Sequence, residues 1–280
     1  MNIDDLSIRL DLPAAEIIRA ADRHTLAVQA WLSSRAPSAV CFSGQGVQVC
    51  STGLKVPLLN QALGCEFPPG TPDYAVNQEI ASVKGFFAGR DLPWYWWLGP
   101  NPNPPDMAER LKAHGIVFDT PPLPAMAAAL PASFEPPDPA ITVWQAQNTA
   151  DLAAASLIRH TAFRFPNGVA LDYFQAMADS WLAGDPARLY LARIGGGPPA
   201  SIGALIMGSG LPGVYVMATL PEWGRRGLGK AILARLLNDA AADGHRMIVL
   251  TASRFGFPLY RQFGFVHIFD YSIYRAGVPA

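Results

Sequence analysis

Val214-Tyr215-Val216-Met217-Ala218-Thr219-Leu220-Pro221-Glu222-Trp223-Gly224-Arg225-Arg226-Gly227-Leu228-Gly229-Lys230-Ala231-Ile232-Leu233-Ala234-Arg235-Leu236-Leu237 leads from an apolar strand, through a proline turn and a glycine-rich basic loop, into a helix. Ile232, Leu233, Leu236, Leu237 and Ala240 recur at helical spacing, with Lys230, Arg235, Asn238, Asp239 and Asp243 mostly on the other face. A helix that begins here has N–H groups without partners and a partial positive charge at its start. Glycines remove the Cβ atoms that would hold an anion away from those N–H groups. Arg225, Arg226 and Lys230 add full charges nearby. The physical reading is a cradle for a diphosphate. The alternative is a plain strand-to-helix turn whose basic side chains are solvated.

Three phosphate-binding patterns compete for this turn. Gly224, Gly229 and Lys230 nearly meet the P-loop pattern G-x-x-x-x-G-K-[ST], but Ala231 stands where a hydroxyl would hold Mg²⁺. The next apolar strand, Met247–Thr251, offers no acid for that metal either. The dinucleotide pattern G-x-G-x-x-G fails, because Ile232 occupies its third glycine position. The third pattern is that of coenzyme A-dependent acetyltransferases.

Met217 to Gly229 resembles the acetyl-CoA motif of the GNAT superfamily of N-acetyltransferases, written [QR]-x-x-G-x-[GA]. Gly227 and Gly229 match its two small positions, while Gly224 stands where an Arg or Gln is expected, next to Arg225. Pro258-Leu259-Tyr260-Arg261-Gln262-Phe263-Gly264-Phe265 is similar to the family's L-Y-x-x-x-G-F signature. The resemblance implies that Tyr260 is the catalytic residue, a general acid that protonates the departing CoA thiolate. A phenol of pKa near 10 holds its proton at neutral pH. It further implies that the pantetheine arm pairs with the main chain of Met217, Ala218 and Thr219, where the strand splays from its neighbour. Gly224, Arg225, Arg226, Gly227, Leu228, Gly229 and Lys230 would hold the diphosphate, and Ser253 stands about where relatives carry a cofactor-contacting Asn. The chemistry implied is direct attack by a neutral amine on the thioester. Glu222, Asp270 and Tyr215 are weighed as general base and none is assigned. Glu222 suits a solvated surface carboxylate.

Outward from the turn, the C-terminal half reads as a strand at Ile141–Gln145, helices at Asp151–Phe163 and Leu171–Leu182, and strands at Leu189–Ile194, Ala200–Met207 and Gly213–Thr219. The helix after the turn ends near Gly244. Strand Met247–Thr251, short helix Pro258–Phe263 and strand Phe265–Tyr274 follow. This order predicts a mixed, mostly antiparallel sheet that gains parallel character around Gly213–Thr251. The resemblance implies that this is the central sheet of an α+β (mixed α/β) GNAT-like fold flanked by helices, with two such domains in tandem. Seven prolines between Thr120 and Pro139 resist helix and central strand alike. They place a boundary between expected domains 1–138 and 139–280, with Met126–Leu130 read as a short strand or a turn of helix.

The N-terminal half reads as helices Pro13–Asp22 and His24–Ser34, strands Ala39–Phe42 and Val47–Ser51, helix Tyr74–Ala88, strand Trp94–Leu98, helix Asp106–His114 and strand Ile116–Phe118. Pro93-Trp94-Tyr95-Trp96-Trp97-Leu98-Gly99-Pro100 and Leu111-Lys112-Ala113-His114-Gly115 resemble the degenerate first domain of tandem GNAT proteins. That domain lacks a glycine-rich basic turn, so no cofactor is expected in it. The aromatic run reads as packed strand in preference to acceptor-site wall.

Among 280 residues, half are hydrophobic and the net charge is −1, a balance without the footprint of a nucleic-acid or anionic-membrane partner. The beginning MNIDDLSIRL does not read as a secretory signal. Cys41, Cys50 and Cys65 read as reduced thiols of a cytoplasmic protein, although Cys41 and Cys50 could lie on paired strands. No metal-ligand spacing occurs. The leading expectation is therefore an acetyl-CoA-dependent N-acetyltransferase acting on a primary amine of a small molecule or a protein. An acyl-CoA-binding sensor or scaffold with a silent site is the alternative, and homo-oligomerisation cannot be read.

Overall fold

The computed structural model describes residues 2–119 and 121–276. Met1, Thr120 and the last four residues, which bound the expected domains and open the proline-dense stretch, lie outside the described residues. The elements begin with α1 (Ile3–Leu10), α2 (Ala14–Ser34), β1 (Val40–Ser43), β2 (Gln48–Ser51), β3 (Asn60–Leu63) and α3 (Asp73–Ala88). Next come β4 (Tyr95–Leu98), α4 (Met107–Ala113), β5 (Ile116–Phe118) and β6 (Leu123–Ala129). Then follow β7 (Ile141–Gln145), α5 (Thr149–Phe163), α6 (Ala178–Leu182), β8 (Ala187–Ile194), β9 (Ser201–Gly208) and β10 (Leu211–Thr219). The chain closes with α7 (Leu228–Ala242), β11 (Met247–Thr251), α8 (Phe257–Gln262) and β12 (Val266–Ala276).

Two compact units form, and neither is a linear half of the sequence. One holds the residues up to Val28 together with Pro124–Phe269; the other holds Gln29–Leu123 and the residues from Asp270 on. The contacts therefore do not divide the chain at 138/139. Each unit takes a strand from the other half of the sequence.

In the first unit the sheet order is β6-β11-β10-β9-β8-β7. All neighbours are antiparallel except β10 and β11, which run parallel. The helix α7 packs across β7 to β10. Its Leu228, Ile232, Leu233, Leu236 and Leu237 are buried with Tyr190, Leu205, Val214 and Leu250 in one core cluster. Each such side chain contributes about 1.5–3 kcal/mol by leaving water. The alternation of strand side chains sends Tyr215 to the other face, where α5 packs on β9 and β10. The strand β6 lies in the proline-dense stretch, paired with β11 from Met247↔Ala129 to Thr251↔Ala125. Met126–Leu130 is thus strand to Ala129, not a turn of helix. Leu171–Leu182 is shorter than expected: a 3₁₀ turn at Gln175–Met177 leads into α6.

The two helices expected at Pro13–Ser34 are one helix, α2, and α1 before it was unforeseen. Asn2 caps α1 reciprocally with Asp5, which stabilises an eight-residue helix that periodicity alone does not announce. The helix α2 rests on the β9–β10 hairpin at two glycines. A Cβ at Gly208 would lie 2.6 Å from Val28, and one at Gly213 would strike the His24 ring. His24 is fully buried, its Nδ1 lies 3.0 Å from the Gly208 carbonyl, and its Nε2 has no partner. Burial lowers its pKa from 6.5 to about 4. A base whose folded pKa lies below its unfolded value stabilises the fold above the unfolded pKa. That stability is lost as pH falls from about 6.5 to about 4, and two and a half units correspond to about 3 kcal/mol. Urea midpoints measured at pH 7.5 and pH 4.5 should show this loss, and His24→Gln should flatten the dependence. An unchanged slope in the variant would assign the loss to other groups.

In the second unit the sheet order is β1-β2-β3-β4-β12, with β5 also on β12. The strands β3 and β4 run parallel, and β4 pairs antiparallel with the end of β12, Ser272↔Leu98 to Tyr274↔Trp96. Trp94, Trp96 and Trp97 are buried. Trp94 stacks on Phe87 at 4.7 Å between centroids, and Trp97 meets Tyr271 edge-on. The aromatic run is core, as the sequence favours. The strand β3 escaped notice because it is polar: Asn60 Nδ2 donates to the carbonyls of Leu54, Val56 and Pro93. One expectation is corrected: Cys41 and Cys50 are directly opposed on β1 and β2, with Cα atoms 4.3 Å apart, and form a disulfide. Sequence spacing could not separate paired strands from separate thiols. Cys65 is a buried thiol whose Sγ donates to the Asn103 carbonyl at 3.7 Å.

Candidate functional site

The parallel pair β10–β11 meets in register only at Gly213↔Val249 among the described residues. Beyond Gly213 the β10–β11 pairing parts, with no further register pair among the described residues, while β10 stays paired with β9 as far as Thr219↔Ser201. The cause is local. A bulge interrupts the β9–β10 ladder between Tyr215 and Ala218, and Val216 adopts φ +45°. Positive φ in a β-branched residue is uncommon and needs its surroundings to hold it. The surroundings are visible. Met217 packs over Gly203, where a Cβ would collide with its sulfur and lie 2.6 Å from Ile232. Ser201, fully buried, donates to the Ala218 carbonyl at 2.8 Å and lies 2.8 Å from Thr219 Oγ1. Met217, Ala218 and Thr219 therefore form a braced strand end that has no partner in register on β11.

The glycine turn sits directly after this strand end. A 3₁₀ turn at Pro221–Trp223 leads to Gly224, which has ordinary extended geometry (φ −60°, ψ 150°). Arg225 then adopts φ +61°, and Gly227 caps α7 in the left-handed region at φ +87°. No side chain caps α7. The Ala231 amide bonds back to Gly227 at 2.9 Å, which leaves the amides of Leu228, Gly229 and Lys230 without intrahelical acceptors. Arg225, Arg226 and Lys230 are exposed, and the Arg226 guanidinium lies 5.1 Å from the Trp223 ring centroid. A Cβ on Gly229 would stand 3.9 Å from Thr219 Oγ1 and 3.7 Å from Leu259. One glycine thus marks where the strand end, the helix start and α8 converge.

Tyr260 lies on α8, buried at 7% exposure. Its ring meets Phe265 edge-on at 5.9 Å and lies against Gly256, where a Cβ would come within 2.8 Å of Cε2 and 3.4 Å of the hydroxyl. Gly256 was not singled out in the sequence, and its spacing four residues before Tyr260 is the signal that could have found it. Burial raises the Tyr260 pKa from 10 to about 12. Ser253 follows β11 and is exposed, and its Oγ accepts from the Gly256 amide at 3.2 Å. It orders the turn into α8.

Of the weighed bases, Glu222 is exposed on the surface. The Tyr215 ring packs against Gly213 and His24, and burial raises its pKa. Among the described residues no three His, Cys, Asp or Glu side chains gather as a metal site. No described helix is long and apolar enough to cross a membrane.

Residues 138–257 match the family model described as an acetyltransferase (GNAT) domain. No curated protein of similar sequence was found. Among solved structures, a GCN5-related N-acetyltransferase from Kribbella flavida superposes with a TM-score of 0.67 at 18% identity, over 92% of this chain and 96% of that one. Another from Sphaerobacter thermophilus gives 0.61 at 16% identity, over 83% of this chain and 80% of that one. A tandem GNAT protein from the clavulanic acid biosynthesis pathway gives 0.60 at 14% identity, over 88% of this chain and 86% of that one. At these identities the likeness is one of fold.

Proposed function

We propose, for a chain whose residues 138–257 form a GNAT acetyltransferase domain, that it transfers an acetyl group from acetyl-CoA to a primary amine. The family supports acyl transfer in general. The observation that carries the finer reading is the parting of β10 and β11 beside an uncapped, glycine-lined helix start. A diphosphate fits the amides of Leu228, Gly229 and Lys230, and an extended amide-bearing arm fits the open edge of Met217 to Thr219. Bound there, acetyl-CoA would supply a thioester whose attack by an amine forms a C–N bond and releases the CoA thiolate. The main chain at the β10 bulge supplies N–H groups toward the oxygen that gains charge. Tyr260 holds a proton throughout the neutral range and gives it to the departing sulfur, and the proton that the amine nitrogen sheds in becoming an amide passes to solvent, from which the phenol is reprotonated. Arg225, Arg226 and Lys230 act as mobile positive charges around the diphosphate. Gly224 carries no side chain, so the backbone does most of the holding. Ser253 serves by shaping the turn beneath Tyr260, and a direct cofactor contact from it is part of the same proposal.

Gly229→Leu tests the cradle. Leucine suits a helix at least as well as glycine, so the melting temperature should hold. Its side chain would project between Thr219 and Leu259 and displace the anion from the amides. Loss of one charge-assisted hydrogen bond is worth about 1.5 kcal/mol, so acetyl-CoA affinity should fall about tenfold or more. Calorimetry that finds unchanged affinity would place the diphosphate elsewhere. A panel of amines with thiol release as readout separates an enzyme from a silent acyl-CoA-binding protein. Binding without release on every amine would favour the latter.

A further inference from the structure

Arg159 is 3% exposed in the last turns of α5. Its guanidinium carbon lies 4.0 Å from the Tyr173 ring centroid, 5.3 Å from Phe165, 5.8 Å from Phe174 and 5.9 Å from Phe163. Nε and Nη1 have no hydrogen-bond partner. Among the described residues no carboxylate acts on it; the Tyr173 phenol is the polar group that does, and burial lowers its pKa. Removing an ion from water without a counter-ion costs more than aromatic faces return. Arginine is also the side chain whose planar donors match a carboxylate. The site is therefore electrostatically incomplete as it stands.

Its cover is the loop from Arg164 to Phe174. The Phe165 amide bonds to the His160 carbonyl at 3.1 Å, His160 Nδ1 lies 2.9 Å from the Val169 carbonyl, and the Phe174 amide donates to Ser156 Oγ at 3.0 Å. Between these tethers Ala170 holds φ +56°, and Phe163 and Leu171 stay exposed as an apolar rim. Topology fixes where this lies. The strand β7 ends at Gln145, opposite Tyr190 near the start of β8. The helices between them leave and return at that end, so the turn joining them lies at the opposite end. That end is where Ser201 pairs with Ala192 and with Thr219, at the open end of β10.

We infer that the Arg159 box is the acceptor's anion site, so that the amine acetylated by this chain carries a carboxylate on an apolar or aromatic body. The amine would then point toward the parted strands, with Arg159 holding the far end of the molecule. This rests on the acyl-transfer reading for the role of the site, but not for its ligand chemistry.

Binding to the full-length chain tests the box without acetyl-CoA. Benzoate should bind at least about tenfold more tightly than the isosteric neutral benzamide, the worth of a charge-assisted hydrogen bond. Equal binding, or none, overturns the proposal. Arg159→Met keeps the volume and should abolish the preference. Because it could unfold the unit, Arg159→Lys, which keeps the charge and loses the planar donors, is measured beside it and should weaken benzoate binding. Benzoate binding that survives both substitutions in folded protein also overturns it. With acetyl-CoA present, phenylalanine should show a KM at least about tenfold below that of phenethylamine, and Arg159→Lys should narrow that gap. Equal KM values would remove the box from acceptor recognition. Failure of acetyl-CoA to bind would sink the transferase reading alone, since the benzoate titration stands apart from it.

Discussion

Tyr260→Phe is expected to lower kcat about a hundredfold, the lower end of what a positioned general acid contributes, while acetyl-CoA affinity changes less than about twofold. The substitution keeps the ring against Gly256 and Phe265 and removes only the hydroxyl. Burial lifts the phenol to about 12. An acid must be protonated to act, and a raised pKa extends the range in which it is. Activity should therefore show no falling limb from Tyr260 below about pH 11. On the proposed reading, the sulfur that receives the proton would leave into the same apolar surroundings, which would raise its proton affinity in the same direction. A large loss of affinity in the variant, with turnover per bound complex intact, would make Tyr260 a packing or binding residue.

The second large effect concerns folding. A chain severed between Asp138 and Pro139 should give a C-terminal fragment that does not fold, seen as loss of the cooperative thermal transition. The fragment lacks β6, so β11 would present an unpaired edge along five residues. It also lacks buried Met126 and Ala128 from the α7 core cluster. Losing a buried methionine alone costs about 2–5 kcal/mol, a large part of a typical domain stability. It further lacks the helices that bring His24 to the β9–β10 hairpin and the Leu10 carbonyl to Arg246 at 2.9 Å. The N-terminal fragment loses the strand that pairs with β4. Starting the C-terminal fragment at Pro124, and adding residues 1–28 as a separate peptide, should recover part of the transition. A stable 139–280 fragment would show that the exchanged strands are dispensable.

The same strand shows where sequence runs out. Leu123-Pro124-Ala125-Met126-Ala127-Ala128-Ala129 is alanine-rich and bracketed by prolines, and alanine favours helix over strand. Nothing local says that β11 will accept it as a partner. The strand β3 was hidden for the opposite reason: the side-chain amide nitrogens of its buried Asn60 and Gln61 donate to tertiary partners, where an apolar face would have given a readable pattern. By contrast β10, the glycine turn and α7 were legible because strand period, glycine and helix period follow one another within 24 residues. The short helix that carries Tyr260 was legible through its motif, but the packing of Tyr260 on Gly256 was not, and neither was the bulge at Val216. Both depend on which side chain lies over which backbone. Arg159 carried no signal, since an arginine near a helix end usually faces water.

The central claim is that the parted strands and the glycine turn take acetyl-CoA. Thermal stabilisation of the full chain by acetyl-CoA, set against ATP with Mg²⁺, tests it most directly. At a hundred times the dissociation constant a ligand adds about 2.7 kcal/mol, so acetyl-CoA should raise the melting temperature by a few degrees, and Gly229→Leu should remove the rise. ATP with Mg²⁺ should leave it unchanged. Stabilisation by ATP alone, with none from acetyl-CoA, would contradict the claim and return the turn to the nucleotide-binding reading.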